Sequence, residues 1–171
     1  MPPSNEPAER HTLSMLVDNE PGVLARIVGL FSGRGYNIDS LTVSEVSHKS
    51  HLSRITIVTT GAPGIIEQIK SQLDRLVPVH RVVDLTVTGR AVERELALIK
   101  VRGKGEIRQE ALLIAESFRA RAVDTTLESF VFEITGKPDK IDQFVSLLEP
   151  LGLIEVSRTG VAAIGRGPDA M

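Results

Sequence analysis

The apolar positions of this chain change period several times, and each change predicts an element. Leu13, Met15 and Val17 alternate as a half-buried strand, whereas Val23, Leu24, Ile27, Val28 and Phe31 recur at helical spacing and stop at Gly33-Arg34-Gly35. A second strand is predicted over Asn37 to Val46, a polar turn in "SHKSH", and a third strand over Leu52 to Thr60 with Ile55, Ile57 and Thr59 on one face. The pair reads as a hairpin. After Gly61-Ala62-Pro63, a stripe of Ile65, Ile66, Ile69, Leu73 and Leu76 predicts a helix with proline in its first turn, and Val83, Leu85 and Val87 then alternate again. The order is βαββαβ.

Comparing the chain with itself shows a repeat. "TGAPGIIEQIKSQLDRLVPV" from Thr60 aligns without a gap on "TGKPDKIDQFVSLLEPLGLI" from Thr135, a constant offset of 75 (135 − 60) that matches Gly61 with Gly136, Pro63 with Pro138, Ile66 with Ile141 and Leu73 with Leu148. Upstream, Asp39-Ser40 matches Asp124-Thr125 at an offset of 85 (124 − 39), so the hairpin of the second copy is shorter. That copy supplies a strand in "RELALIKV", a helix with Ile107, Ala111, Ile114 and Phe118, hairpin strands around Ala122 to Thr135, a helix from Pro138 and a last strand near Ile154. The predicted organisation is a disordered leader over 1–10, one unit over 11–89 and a second over 93–167. Each unit is expected to place two helices on one face of a four-stranded antiparallel sheet, the ferredoxin-like α+β arrangement. The other face or an edge strand then needs a partner, and a homodimer meets that need most simply.

Composition narrows what such a chain can do. In 171 residues, 42% are hydrophobic, enough for real cores, and 20 Lys and Arg against 22 Asp and Glu leave a net charge of −2. No basic face for nucleic acid or an anionic membrane is implied. Cysteine is absent, which excludes disulfides, thiolate metal sites and cysteine nucleophiles and makes the cytoplasm the default location. "MPPSNEPAER" has no signal-peptide core, and no apolar run approaches the ~18 residues of a membrane span.

Enzyme motifs are missing. Gly103-Lys104-Gly105 lacks the Walker spacing and is followed by Glu106, which repels phosphate. His48 and His51 sit on either side of a polar turn with no carboxylate or further histidine expected beside them to complete a metal site, and no nucleophile elbow or serine–histidine–carboxylate set is evident. RNA-recognition modules share the βαββαβ order but stack bases on strand aromatics; here only 4% of residues are aromatic, and Phe130 and Phe132 alternate as core residues do.

The informative stretch is "DNEPG", where an apolar strand breaks and an apolar helix follows at once. Pro21 suits a first helical turn, and Gly22 admits close approach to the backbone. The N–H groups of Gly22, Val23 and Leu24 would then point outward with the positive end of the helix dipole, a cradle for a carboxylate. Capping by Asp18 or Asn19 accounts for the same residues without a ligand. Acids and an amide beside the cradle suit a zwitterion. The second copy has "RGKGEIR" at this place and Ala122 where the first has Asn37, which points to a function confined to the first unit; divergent capping of the two copies also explains it.

"DNEPGVLARI" after the first strand resembles an ACT domain, the amino-acid-sensing module of biosynthetic enzymes. More narrowly, "LFSGRGYNIDSLTVSEV", "LSRITIVTTG", "LVPVHRVVDLT" and "VERELALIKV" are similar to the regulatory (small) subunit of acetohydroxyacid synthase, also called acetolactate synthase, over about His11 to Gly167. The resemblance implies a chain with no activity of its own that binds and activates a catalytic subunit and confers feedback inhibition by valine, leucine or isoleucine. Thiamin diphosphate, Mg and FAD are expected in that catalytic subunit and no cofactor in this chain. The effector is expected between ACT units of two chains, with Asn19, Gly22 and Asn37 on its polar end and Val23, Leu24 and Ile38 as backbone donors or apolar lining. Pro21 departs from the family, where a small polar residue can stand, and is expected to preorganise the loop; "RGKGE" and "GRGPDAM" match less specifically. The alternative is a stand-alone ACT-type sensor of another pathway.

Overall fold

The computed structural model describes residues 6–89 and 91–171, so Met1–Asn5 of the expected leader lie outside the described residues. The chain forms two compact units, residues 1–92 with 161–171, and residues 93–160.

In the first unit β1 (Glu9–Asp18), α1 (Val23–Gly33), β2 (Ser40–Ser47), β3 (Leu52–Gly61), α2 (Pro63–Asp74) and β4 (Val79–Asp84) follow in order. The antiparallel sheet has the strand order β2-β3-β1-β4. Leu13, Met15, Val17, Ile55 and Ile57 project from one face and pack against Val23, Ile27 and Phe31 of α1 and Ile66, Ile69 and Leu73 of α2. Period-2 strands and 3.6-period helices thus meet through matching stripes, which is why the βαββαβ order was legible. The first strand begins at Glu9, earlier than the expected leader boundary, because Glu9 and Arg10 pair with Gly61 and Thr60.

A second difference concerns β4. Val83 and Leu85 do share a face, but it is the one turned away from the helices, where Leu85 joins Val58. Val82 faces the helix-side core, β4 therefore starts at Val79, and Val87 is exposed after the strand has ended.

The second unit repeats the plan with β5 (Ala91–Arg102), α3 (Gly105–Ser117), β6 (Arg121–Thr125), β7 (Ser129–Gly136), α4 (Pro138–Leu148), a 3-10 turn (Glu149–Leu151) and β8 (Leu153–Arg158), in the strand order β6-β7-β5-β8. Phe132 and Phe144 are fully buried, their rings 6.2 Å apart edge to face, and Phe130 stacks on Phe132 at 5.2 Å. These rings face the helices, so the strands offer no aromatic platform for bases. Pro63 and Pro138 open α2 and α4 from N-caps of nearly identical backbone, Ala62 at φ −66°, ψ 148° and Lys137 at φ −64°, ψ 151°. β6 has 5 residues against 8 in β2, the shortening that the change of offset implied. Glu95, 5% exposed, is held by Arg158 through two hydrogen bonds of 2.9 and 2.7 Å. The Glu95 carboxylate holds the Arg158 guanidinium above its usual range against the opposing effect of burial.

After Gly160 the chain leaves the second unit and returns to the first. Ser40 Oγ accepts from Val161 N–H at 2.8 Å, and Thr42 Oγ1 donates to Val161 O at 3.0 Å. Val161 and Ala163, the latter in the short strand β9 (Ala162–Gly165), pack on Val58 and Leu85. The helix-free face of the first sheet, expected to need a partner, is thus partly covered by its own chain. Residues 161–167, read as the end of the second unit, belong to the first, because Ser40, Thr42, Val58 and Leu85 offer them both hydrogen bonds and an apolar surface.

Gly152 ends the 3-10 turn at φ 89°, and a Cβ there would lie 2.0 Å from Arg102 O. Gly152→Ala is expected to cost more than the ~1–2 kcal/mol of left-handed strain alone, read as a lowered urea midpoint at unchanged slope.

Candidate functional site

The loop between β1 and α1 is fixed from both sides. Asp18 N–H donates to Pro78 O at 2.9 Å and Asn19 N–H to His51 O at 2.7 Å, so the β2–β3 turn and the approach to β4 hold the break in place. Those two carbonyl groups are parts of the site that sequence reasoning missed, because main-chain acceptors leave no mark on side-chain identity. Asp18 does not cap the helix: His80 Nε2 donates to its Oδ1 at 2.5 Å. α1 begins with no side-chain cap at all, from Gly22 in the left-handed region at φ 87°.

Capping is therefore not what the break is for. Val23 N–H reaches Glu20 O only at 3.4 Å and Arg26 N–H bonds Gly22 O at 3.1 Å; among the described residues the N–H groups of Gly22, Leu24 and Ala25 have no acceptor. Of the expected amides, Gly22 and Leu24 are open and Val23 is engaged, and Ala25 adds one that was not expected. Asn19, Glu20, Pro21 and Gly22 are exposed, and Leu24 is 39% exposed. The Val23 side chain is buried in the core, so it supports the loop from beneath and does not line the site. Unpaired amides at the positive end of a helix suit a carboxylate.

Asn37 and Ile38 lie at the other end of α1. Gly35 turns the chain at φ 70°, Tyr36 packs edge-on against Phe31 at 6.4 Å, and Thr59 Oγ1 donates to Asn37 O at 2.7 Å. Asn37 Nδ2 donates to Asp39 Oδ1 at 2.5 Å, and Thr60 Oγ1 donates to Asp39 Oδ2 at 2.8 Å. With Nδ2 engaged and the residue exposed, Asn37 keeps Oδ1 as an acceptor of the kind that suits an ammonium group. Ile38 is half-buried against the first core. The 11 residues of α1, at ~1.5 Å of rise per residue, separate this end from the "DNEPG" loop by ~16 Å. One chain does not bring Asn19 and Asn37 together.

The corresponding loop of the second unit is built differently. α3 starts from Lys104 in extended backbone at φ −126°, and the Lys104 ammonium is paired with Glu128 at 2.6 Å. His48 pairs with Glu45 at 2.8 Å, a carboxylate neighbour that the sequence reading did not assign to it, yet among the described residues no group of three or more His, Asp or Glu could hold a metal. No helix among them is long and apolar enough to cross a membrane.

Two ferredoxin-like units in one chain, the first carrying an amide-lined break after its first strand, define a protein built of ACT-type units. Residues 13–81 match the family described as the AHAS small subunit-like ACT domain, and residues 94–167 match the small subunit of acetolactate synthase. The chain is 44% identical over 158 residues to a probable acetolactate synthase small subunit of Archaeoglobus fulgidus, covering 92% of this chain and 98% of that one. It is 42% identical over 163 residues to the acetolactate synthase isozyme 3 small subunit of Salmonella typhimurium, covering 95% and 99%. The crystal structure of the acetolactate synthase small subunit from Thermotoga maritima superposes with a TM-score of 0.83 at 41% identity, covering 94% of this chain and 99% of that one. The chain belongs to the acetolactate synthase small-subunit family.

A Cβ at Gly22 would meet nothing within 4 Å. Gly22→Ala is therefore expected to cost only the ~1–2 kcal/mol of holding alanine at positive φ, less than Gly152→Ala in the same urea titration.

Proposed function

We infer that this chain is the regulatory subunit of an acetolactate synthase: it has no catalysis of its own, binds the catalytic subunit in the cytoplasm, raises its activity, and makes it sensitive to valine, leucine or isoleucine. Membership of the small-subunit family supports the partner. The thiamin diphosphate, Mg and FAD implied by the resemblance belong to that partner. The observation that carries the effector reading is the ~16 Å between the two ends of α1. The free amides at Leu24 and Ala25, with Asn19 in the same loop, suit the carboxylate of an amino acid; Asn37 Oδ1 suits its ammonium. They are half-sites, and a second copy of the chain related by a twofold axis would bring the "DNEPG" loop of one against Asn37 of the other. β2 is an edge strand with Val43 and Val46 exposed, so an edge and apolar surface are available for that pairing.

Regulation then follows by linkage. An effector shared by two chains favours the paired state of the first units and whichever grip on the catalytic subunit goes with it, and a coupling of ~1–3 kcal/mol changes the partner's behaviour by roughly 5- to 150-fold. Selection among the three branched amino acids rests on single methylenes, worth only ~1–3 kcal/mol each.

The test uses two variants together. Asn19→Ala and Asn37→Ala are each expected to lose valine binding in calorimetry, since every site of either homodimer lacks one half. Dimers carrying one chain of each variant regain one intact site, about half the parent stoichiometry. If the mixed dimers bind no better than the two variants separately, the site is not shared between chains. If both single variants bind as the parent does, the effector reading fails.

A further inference from the structure

The face of the first sheet that turns away from α1 and α2 holds a cavity of about 420 Å³ roofed by residues 163–171, a volume within the range of small-molecule sites. Strand register decides which side chains enter it. Leu16 of β1 pairs with Arg54 of β3 on one side and with Arg81 of β4 on the other, so the two arginines stand in one row of one face, with their backbones ~10 Å apart. Ser14 occupies the next row, between Thr56 and Val83. Long guanidinium arms rooted at that spacing can close on one anion from two sides.

The charge and the unpaired donors agree. Arg54, Arg81 and Arg166 line the cavity, where Asp169 is the one acidic side chain, and none of the three arginines has an ion pair among the described residues. Ser14 is 1% exposed, and both its Oγ and Arg54 Nε are buried without a hydrogen-bond partner. A buried donor left unpaired costs ~1–3 kcal/mol, and native folds keep few of them. An oxyanion satisfies the serine hydroxyl and the guanidinium groups together. Val83, Leu85 and Ala163 add apolar wall beside them. We propose that this cavity binds a small organic oxyanion, its carboxylate or phosphate head held by Arg54, Arg81 and Ser14 Oγ, its apolar body against Val83, Leu85 and Ala163. The site lies on the opposite face of the sheet from α1 and shares no residue with the effector half-sites.

The test is amide NMR of the full chain titrated at constant ionic strength with inorganic phosphate in one arm and butanoate in the other. Saturable shifts around Ser14, Arg54 and Val83 are expected with at least one anion, and the arm that saturates at lower concentration identifies the head group. The double variant Arg54→Gln, Arg81→Gln should weaken that anion at least about tenfold, the scale of one lost charged hydrogen bond. Ser14→Ala, which removes only a hydroxyl, should weaken it by a smaller factor and serves where the double variant does not fold. Shifts that never saturate, or affinity unchanged in either variant, overturn the site. Asn19→Ala should bind the anion as the parent does, so failure of this proposal and failure of the shared effector site are separate results.

Discussion

The pairing of β1 with β3, ten residues in unbroken antiparallel register from Glu9↔Gly61 to Asp18↔Leu52, is the constraint on which the first unit depends. Side chains alternate across a strand, so a slip of one residue would send Leu13, Met15 and Val17 to the helix-free face and Ser14 and Leu16 into the core. The same register sets the places of the candidate site. Asp18 opposite Leu52 brings Asn19 N–H within reach of His51 O, and at the far end Thr59, opposite His11, receives the backbone of Asn37. The two halves of the candidate site therefore lie at opposite ends of one rigid pair of strands, with α1 spanning the distance between them.

Under the proposed function this geometry makes assembly part of the chemistry. A ligand with a carboxylate and an ammonium a few ångströms apart cannot bridge ~16 Å of helix, so the polar groups at the two ends act together only across chains. A site completed by two copies has a property that a pocket in one chain lacks: binding and association are linked, and the effector reports on how the subunits are arranged. Gly22 and the absence of a side-chain cap leave the α1 amides open, at some cost to the helix start.

The duplicated unit separates the residues that both folds share from those that only the first carries. At the offset of 75, Ile66, Ile69 and Leu73 recur as Ile141, Phe144 and Leu148, all buried in their own cores. Pro63 recurs as Pro138, since α2 and α4 start in the same way. Around the two half-sites the repeat fails: Lys104, paired with Glu128, stands in the loop before α3, and Ala122 replaces Asn37. A surface amide at the end of a helix is dispensable to packing, so its loss from one copy leaves that core intact.

The sequence by itself determined the elements, their order, the duplication and the helix-side cores, because these depend on local periodicity and on turn residues such as Pro63 and Gly33-Arg34-Gly35. It also marked "DNEPG" and Asn37 as the informative residues, and motifs in the chain carried the family. Where the interactions are non-local, it was silent or misplaced them. The return of 161–171 to the first sheet depends on Ser40 and Thr42, some 120 residues earlier in the chain, and no period records such a contact. Only the tertiary structure decided that Asp18 bonds His80 and leaves α1 uncapped, that Asn19 and Asn37 lie too far apart to share a ligand within one chain, and that Arg54, Arg81 and Ser14 gather on one face. Each depends on strand register, which brings together residues that the sequence holds far apart.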